Sequence, residues 1–275
     1  MQLHVLVRSR NEPFIHEFVE HYLYEGVDKI HIIDDSDDLS SYETIEDCPQ
    51  VNIITTLRRR DPKEVLHIAY EQIKEQADWL LVVDADEFVT TRRDPDSTLR
   101  NELLTTFIDA DYVKIPWVMM SFNGQAHNPD SLLVDNVWRW DHDRRRATKV
   151  HKFRCRYSEI EVKSLFRPSK FGASRLTCHG LTELVDGSPT VVDSVLGLPA
   201  NIDFFYQNLR EESISNAHLV CQHYRFASVD HVKSKFDGNL FYTYSTFDLI
   251  QVLESDGPEL RDTMLRDKTL KRRGL

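Results

Sequence analysis

Short apolar runs alternate with longer amphipathic stretches through the first third of the chain. LHVLV (3–7) is an unbroken apolar run of strand length, the pattern of a strand covered on both faces. Behind it Pro13 suits a first helical turn. Phe14, Ile15, Phe18, Val19, Tyr22 and Leu23 then recur at a spacing that gathers them on one helix face, with Gly26 as the stop. DKIHIID (28–34) and VNIITT (51–56) read as the second and third strands. A second amphipathic helix is predicted from about Asp61 and Pro62, turning Val65, Ile68, Ala69, Ile73 and Ala77 to the sheet, and it leads into the strand of DWLLVVDADEFV (78–89). The order β-α-β-β-α-β predicts an α/β fold.

Past residue 110 the pattern turns strand-like, in YVKIPWVMM (112–120), LLVDNVWRW (132–140), VHKFRCRY (150–157) and RLTCHGL (175–181). Residues 182–215 are weakly patterned, with Gly187, Pro189, Gly197 and Pro199, and read as a long surface excursion. Order returns with a strand in AHLVCQHY (217–224) and a helix over 228–236, capped by Ser228 and carrying Val229, Val232 and Phe236. The basic tail KTLKRRGL reads as solvated or frayed.

Composition narrows the class. The chain has 275 residues, 41% of them hydrophobic and 29% charged, enough to fold as one large domain. A net charge of −11 argues against a general attraction to nucleic acid or anionic membrane. No apolar run reaches the length of a membrane span and LHVLV stands almost at the start, so the expectation is a cytoplasmic protein without signal peptide or anchor, in the host cytoplasm if viral. Cys48, Cys155, Cys178 and Cys221 are widely spaced and form neither a zinc ribbon nor a redox motif.

The chemistry concentrates where the apolar strand Leu80–Val83 runs into Asp84, Asp86 and Glu87. A buried carboxylate without a partner costs several kcal/mol, so these acids need a cation, hydrogen-bond donors or solvent. Asp84 and Asp86, one residue apart on an extended chain, point the same way and can address one divalent ion, Mn²⁺ or Mg²⁺, shared with phosphate oxygens. The turn DDSDD (34–38) also follows a strand, at the edge where open α/β sheets bind ligands. It is not a calcium loop, because Leu39 and Ile45 stand where the glycine and the bidentate glutamate belong. Asp34 or Asp35 is expected to meet a base or ribose, with the rest of the turn solvated.

Several blocks carry a family resemblance. RSRNEPFIHEFVEHYLYEGVDKIHIIDDSDD, DWLLVVDADEF, WVMMSFNG, VKSLFRP with the later CHG, and QHYRFASVDHVKSKF resemble, in the same order, the blocks of family 92 type glycosyltransferases, a family 2-like group. The resemblance implies a GT-A fold over 1–275: a mixed central sheet flanked by helices, with a nucleotide-binding half (1–110) and an acceptor-binding half (111–275). It also implies a metal-dependent transfer of sugar, with inversion, from a nucleotide-sugar donor such as a UDP-sugar to a glycan acceptor. Phe122-Asn123-Gly124 departs from the aromatic-Gly-Ser found in many relatives.

Carried over by position, Asp84 contacts the donor ribose or the metal shell and Asp86 binds the metal. His179 or His223 is a candidate for a further metal ligand, a core role being the alternative for each. Arg8 and Asn11 lie under the base with Glu12 holding the loop. One of Arg58, Arg59 and Arg60, with Arg60 preferred, meets diphosphate or uracil, and Lys163 and Arg167 face phosphate or surface water. Asp135 and Asp141 are the candidates for the general base, and Trp117, Trp138 and Trp140 offer faces to a sugar or pack in the core. The competing readings are a metal-dependent nucleotidyltransferase or phosphodiesterase, which uses the same acids for one or two ions, and a non-catalytic glycan- or nucleotide-binding module.

Overall fold

A computed structural model describes residues 1–36, 42–43, 45, 47–55, 62–143, 160–172, 176–180, 187–203, 206–207, 209–237, 250–251, 253–254 and 256–275. Arg58, Arg59, Arg60, Asp37, Asp38 and the expected strand 150–157 lie outside the described residues.

Four parallel strands form the heart of the sheet: β1 (Leu3–Ser9), β2 (Lys29–Asp34), β3 (Val51–Thr55) and β4 (Trp79–Asp84), in the order β4-β1-β2-β3. Their apolar runs are buried on both faces, so no alternation of polar residues interrupts β1 or β4. α1 (Ile15–Tyr24) covers one face with Ile15, Phe18, Val19 and Tyr22. α2 (Pro62–Ile73) covers the other with Val65, Leu66, Ala69, Tyr70 and Ile73. Ile68, expected on that inner face, is exposed, and Leu66 and Tyr70 take its place. Gly26 ends α1 with φ +87°, and a side chain there would run into Arg100.

The sheet then becomes mixed. β5 (Glu87–Thr91) follows β4 after a two-residue turn, and the short helix α3 (Leu99–Leu104), capped by Thr98, leads to β6 (Tyr112–Ser121). β8 (Ile160–Phe166) runs antiparallel between β4 and β6 and joins the two halves. The expected strand over 132–140 is instead a helical turn, α4 (Leu132–Asp135), and a two-residue strand, β7 (Trp138–Arg139); Glu17 of α1 accepts the Leu132 N–H and caps that turn. The expected strand over 175–181 is, in its described part, a tight turn closed by the Thr177–Gly180 bridge. Where a surface excursion over 182–215 is expected, its described residues contain β9 (Val191–Asp193), β10 (Tyr206–Gln207) and α5 (Glu211–Ser215).

β11 (Leu219–His223) lies between β5 and β6, and α6 (Val229–Asp237) follows it. Ser228 caps α6 by accepting the His231 N–H, as its position predicts. β12 (Leu260–Arg261) pairs with β7, and the tail is not frayed: α7 (Met264–Arg272) is a docked helix with Leu265, Lys268 and Thr269 buried. The core cluster runs from Val5 and Phe18 through Ile115 and Cys221 to Leu265, so both halves share one interior. The result is an α/β architecture with a curled mixed sheet. Among the described residues no helix is long and apolar enough to cross a membrane, and Cys48, Cys178 and Cys221 are free thiols.

Candidate functional site

The parallel strands end level with one another. Arg8 stands opposite Asp84, and Ser9 opposite Asp34, so the ends of β1, β2 and β4 form one carboxyl edge. At this edge β4 does not run out into a loop. Ala85 and Asp86 turn the chain straight into β5, and Glu87 closes the turn by accepting the Asp84 N–H at 2.7 Å. β5 then places Glu87 opposite His223 of β11.

Two lysines compensate the acids. Lys163, on β8 and 0% exposed, donates to Asp84 Oδ2 at 2.9 Å and to the Cys178 carbonyl at 2.8 Å, and stands 2.8 Å from Glu87 Oε2. Lys235, on α6, donates to Asp86 Oδ2 and to the Arg225 carbonyl, while His223 Nε2 lies 3.5 Å from Asp86 Oδ1. Burial raises the cost of ionising Asp84, and Lys163 beside it nevertheless holds that carboxyl below its ordinary range. Asp86 feels the same burial and is held well below the ordinary range by Lys235 and His223. Glu87 is pushed well upward by burial, and its Oε1 has no partner. Glu12, buried and facing the charges of Lys235 and Asp86, is pushed up to about 7 by burial, and its Oε1 is also without a partner.

Trp117 separates the two histidines, its ring 5.1 Å from that of His179 and 4.3 Å from that of His223. Burial lowers both imidazoles, His179 to about 4. His179 sits in the 177–180 turn, which is drawn against β8 because Ser164 donates to its carbonyl. Gly180 permits this approach: at φ +145° a Cβ there would collide with the Tyr112 and Ser164 hydroxyls. Among the described residues no three His, Cys, Asp or Glu side chains converge as a set that would hold a metal alone. Asp84, with its side chain 45% exposed, sits beside Asp86 in an arrangement that suits a hard cation taking most of its oxygens from phosphates.

The structure brings together Arg8, Asp84, Asp86, Lys163, His179 and His223 of the residues singled out from the sequence. Lys163, expected to face phosphate or surface water, is instead sealed inside beside Asp84 and Glu87. Lys235, 32% exposed, and Arg8, 30% exposed and 3.9 Å from Asp35, are partly accessible cations at this edge. Asp34 accepts the Ser36 N–H, and Ser36 accepts the Asn11 N–H, which fixes Asn11 at φ 47° beside β1. Asp135 is exposed and accepts the Ser131 N–H, and Asp141 accepts the Asp143 N–H, so both serve local turns. Lys235 and Glu12 carry more of the site than the sequence suggested. Lys235 was legible only as the residue three places after Val232, on the inward face of its helix.

No family model matches the chain, and no curated protein matches it. Among solved structures it is similar to a 4-diphosphocytidyl-2C-methyl-D-erythritol synthase at 14% identity and TM-score 0.38, over 73% of this chain and 92% of that one. It is also similar to HddC from Yersinia pseudotuberculosis at 11% identity and TM-score 0.35, over 60% and 76%, a protein also solved with GMP-PN. A197 from STIV aligns at 10% identity and TM-score 0.31, over 66% and 73%. The expectation of sugar transfer from a nucleotide sugar is corrected here: the solved structures named by their product include a synthase of a diphosphocytidyl compound, and none of these three is named as a sugar transferase.

Proposed function

We propose that the chain is a nucleotidyl-transfer enzyme, in which an acceptor oxygen attacks the α-phosphorus of a nucleoside triphosphate and pyrophosphate leaves. The observation that carries the reading is the pairing of accessible cations with a half-exposed carboxylate on the carboxyl edge: Arg8 and Lys235 flank Asp84 and Asp86. Guanidinium and ammonium groups suit phosphate oxygens, and crevices beyond the carboxyl ends of parallel strands receive nucleotides. Mn²⁺ or Mg²⁺, if bound, would be held by Asp84 with Asp86 and would supply neutralisation of phosphate charge. Lys235 orients the phosphates, Lys163 keeps Asp84 ionised from behind, and Asn11 with Asp34 shapes the floor beside the base. The GT-A assignment and the family 92 resemblance remain part of this proposal as a description of layout, with the reaction changed.

The test is the identity of the nucleotide product. Incubating the protein with each of the four ribonucleoside triphosphates, Mg²⁺ or Mn²⁺, and a panel of alcohol and phosphomonoester acceptors should release pyrophosphate and leave a nucleoside monophosphate joined to the acceptor. Asp84→Asn should abolish it. Release of nucleoside diphosphate, or nucleotide binding without any turnover, would overturn the reading.

A further inference from the structure

Asp256 stands at the open end of β6 and has no part in the roles assigned so far. Its carboxylate collects donors from three directions. Ser121 Oγ donates to Oδ2 at 2.7 Å, the Asn123 N–H donates to the same oxygen at 3.0 Å, and Trp140 Nε1 donates to Oδ1 at 3.4 Å. The side chain is only half-buried. Asn123 holds φ 49° to present its N–H, in a region that non-glycine residues adopt at a cost, so the chain bends into a strained turn to build this cradle. Trp140 is fixed in turn by its own N–H on the Met119 carbonyl.

The cradle sits at the end of the strand that carries Trp117 beside the acidic edge. Alternation along β6 puts Trp117, Met119 and Ser121 on one face, and Trp117 touches both His223 and His179 there. Ser121 is four residues further, about 13 Å along the strand at about 3.3 Å per residue. A nucleotide held at Lys235 would have to bridge this interval to reach an acceptor next to Asp256. One small apolar cluster supports both ends: Phe122 and Leu253 pack with Val232, one helical turn before Lys235 on α6. The described groups facing Asp256 are Ser121, Asn123, Trp140 and the Gly257 N–H, all donors, and burial shifts its carboxyl upward against them.

We propose that Asp256 is the proton acceptor for the incoming nucleophile, and that the acceptor is therefore an alcohol, not a phosphomonoester. This rests on the nucleotidyl-transfer reading. The alcohol oxygen forms a bond to the α-phosphorus, its proton passes to the Asp256 carboxylate, and the bond from that phosphorus to the pyrophosphate oxygen breaks, the electron pair leaving with pyrophosphate. The product is a phosphodiester. An ionised phosphomonoester oxygen carries no proton and needs no such base, which is why the cradle selects between the two acceptor classes.

The experiment compares pyrophosphate release by the full chain and by Asp256→Asn with alcohol and phosphomonoester acceptors. Nucleotide affinity is measured in parallel by calorimetry. With alcohols, Asp256→Asn should lower kcat by roughly 10²- to 10⁴-fold and remove the acidic limb of the pH profile, with nucleotide affinity unchanged. Ser121→Ala, which withdraws one donor from the ionised form, should move that limb to higher pH, an effect that a purely structural role would not produce. If Asp256→Asn loses its near-ultraviolet circular dichroism, the Ser121→Ala profile decides alone. Retained kcat in Asp256→Asn, an unmoved limb in Ser121→Ala, or turnover with phosphomonoesters only would overturn the assignment. Absence of pyrophosphate release by the native chain with every acceptor would overturn the functional reading itself, and with it this role.

Discussion

At the Glu87 end of β5 the buried carboxylates keep unpartnered oxygens, whereas at the Thr91 end the buried carboxylate of Glu25 is held by two cations. There Glu25, fully buried, accepts from Lys268, Arg272 and the Leu99 N–H. Lys268 also donates to the Thr90 and Thr91 hydroxyls. Arg272 completes the clasp by covering the Tyr24 ring at 3.6 Å. Burial would raise Glu25, and Lys268, His21 and Arg272 bring it below its ordinary range. The acidic edge has comparable lysines yet leaves Glu87 Oε1, Glu12 Oε1 and His223 Nδ1 without partners. Both oxygens of Glu25 are partnered, which suits a structural clasp even though Arg272 Nε has no partner, whereas Glu87 and Glu12 each keep a buried oxygen without one.

The largest effect that tests this contrast is at Lys163. Replacing it with methionine leaves Asp84 and Glu87 without their buried cation, and the expected loss is about 3–5 kcal/mol in urea unfolding. Recovery in a Lys163→Met, Asp84→Asn double variant would attribute the loss to the stranded charge. Glu25→Gln should come next, costing about 3 kcal/mol by isolating Lys268 and Arg272, while nucleotide affinity stays unchanged. A fall in affinity would erase the distinction between the two ends of the strand.

Glu12 offers a test through pH. Its folded value of about 7 lies above the ordinary 4.5, so the folded state keeps a proton that the unfolded chain releases. Its contribution to stability is complete below pH 4.5 and is lost as pH rises through 7. Glu12→Gln removes that dependence, and between pH 4.5 and 8 it should gain on the native chain by on the order of 3 kcal/mol. Parallel unfolding curves at the two pH values would contradict the upward shift. The smallest effect belongs to Lys271→Ala, which deletes an ion pair with Asp96 whose side chains are 70% and 79% exposed. No change in the urea midpoint is expected, and a measurable loss would mean that depth does not decide which charges matter.

Much of the first half was legible because its signals are local. The period of α1, the apolar runs of β1 and β4 and, in the second half, the Ser228 cap each reflect contacts within a few residues, and all appear where the pattern puts them. The second half was less legible for a physical reason. LLVDNVWRW has strand composition, yet a carboxylate from α1, 115 residues away, caps Leu132 and winds the segment into a helical turn. IEVKSLF carries buried Lys163 and Ser164 at its centre, which obscured the strand that joins the two halves. The tail is charged along its length and gives no apolar period, but Lys268 finds Glu25 from 243 positions away and docks the helix.

By itself, then, the sequence determined that apolar strands would stack in parallel and that Asp84 and Asp86 would stand at their carboxyl edge, since strand length and side-chain alternation are properties of adjacent residues. Only the tertiary structure decided what neutralises those acids. Lys163 comes from 79 positions away from Asp84 and Lys235 from 149 positions away from Asp86. A lone lysine in a sequence reads as surface; burial between carboxylates, which requires the whole sheet to close, is what turns it into a counter-ion.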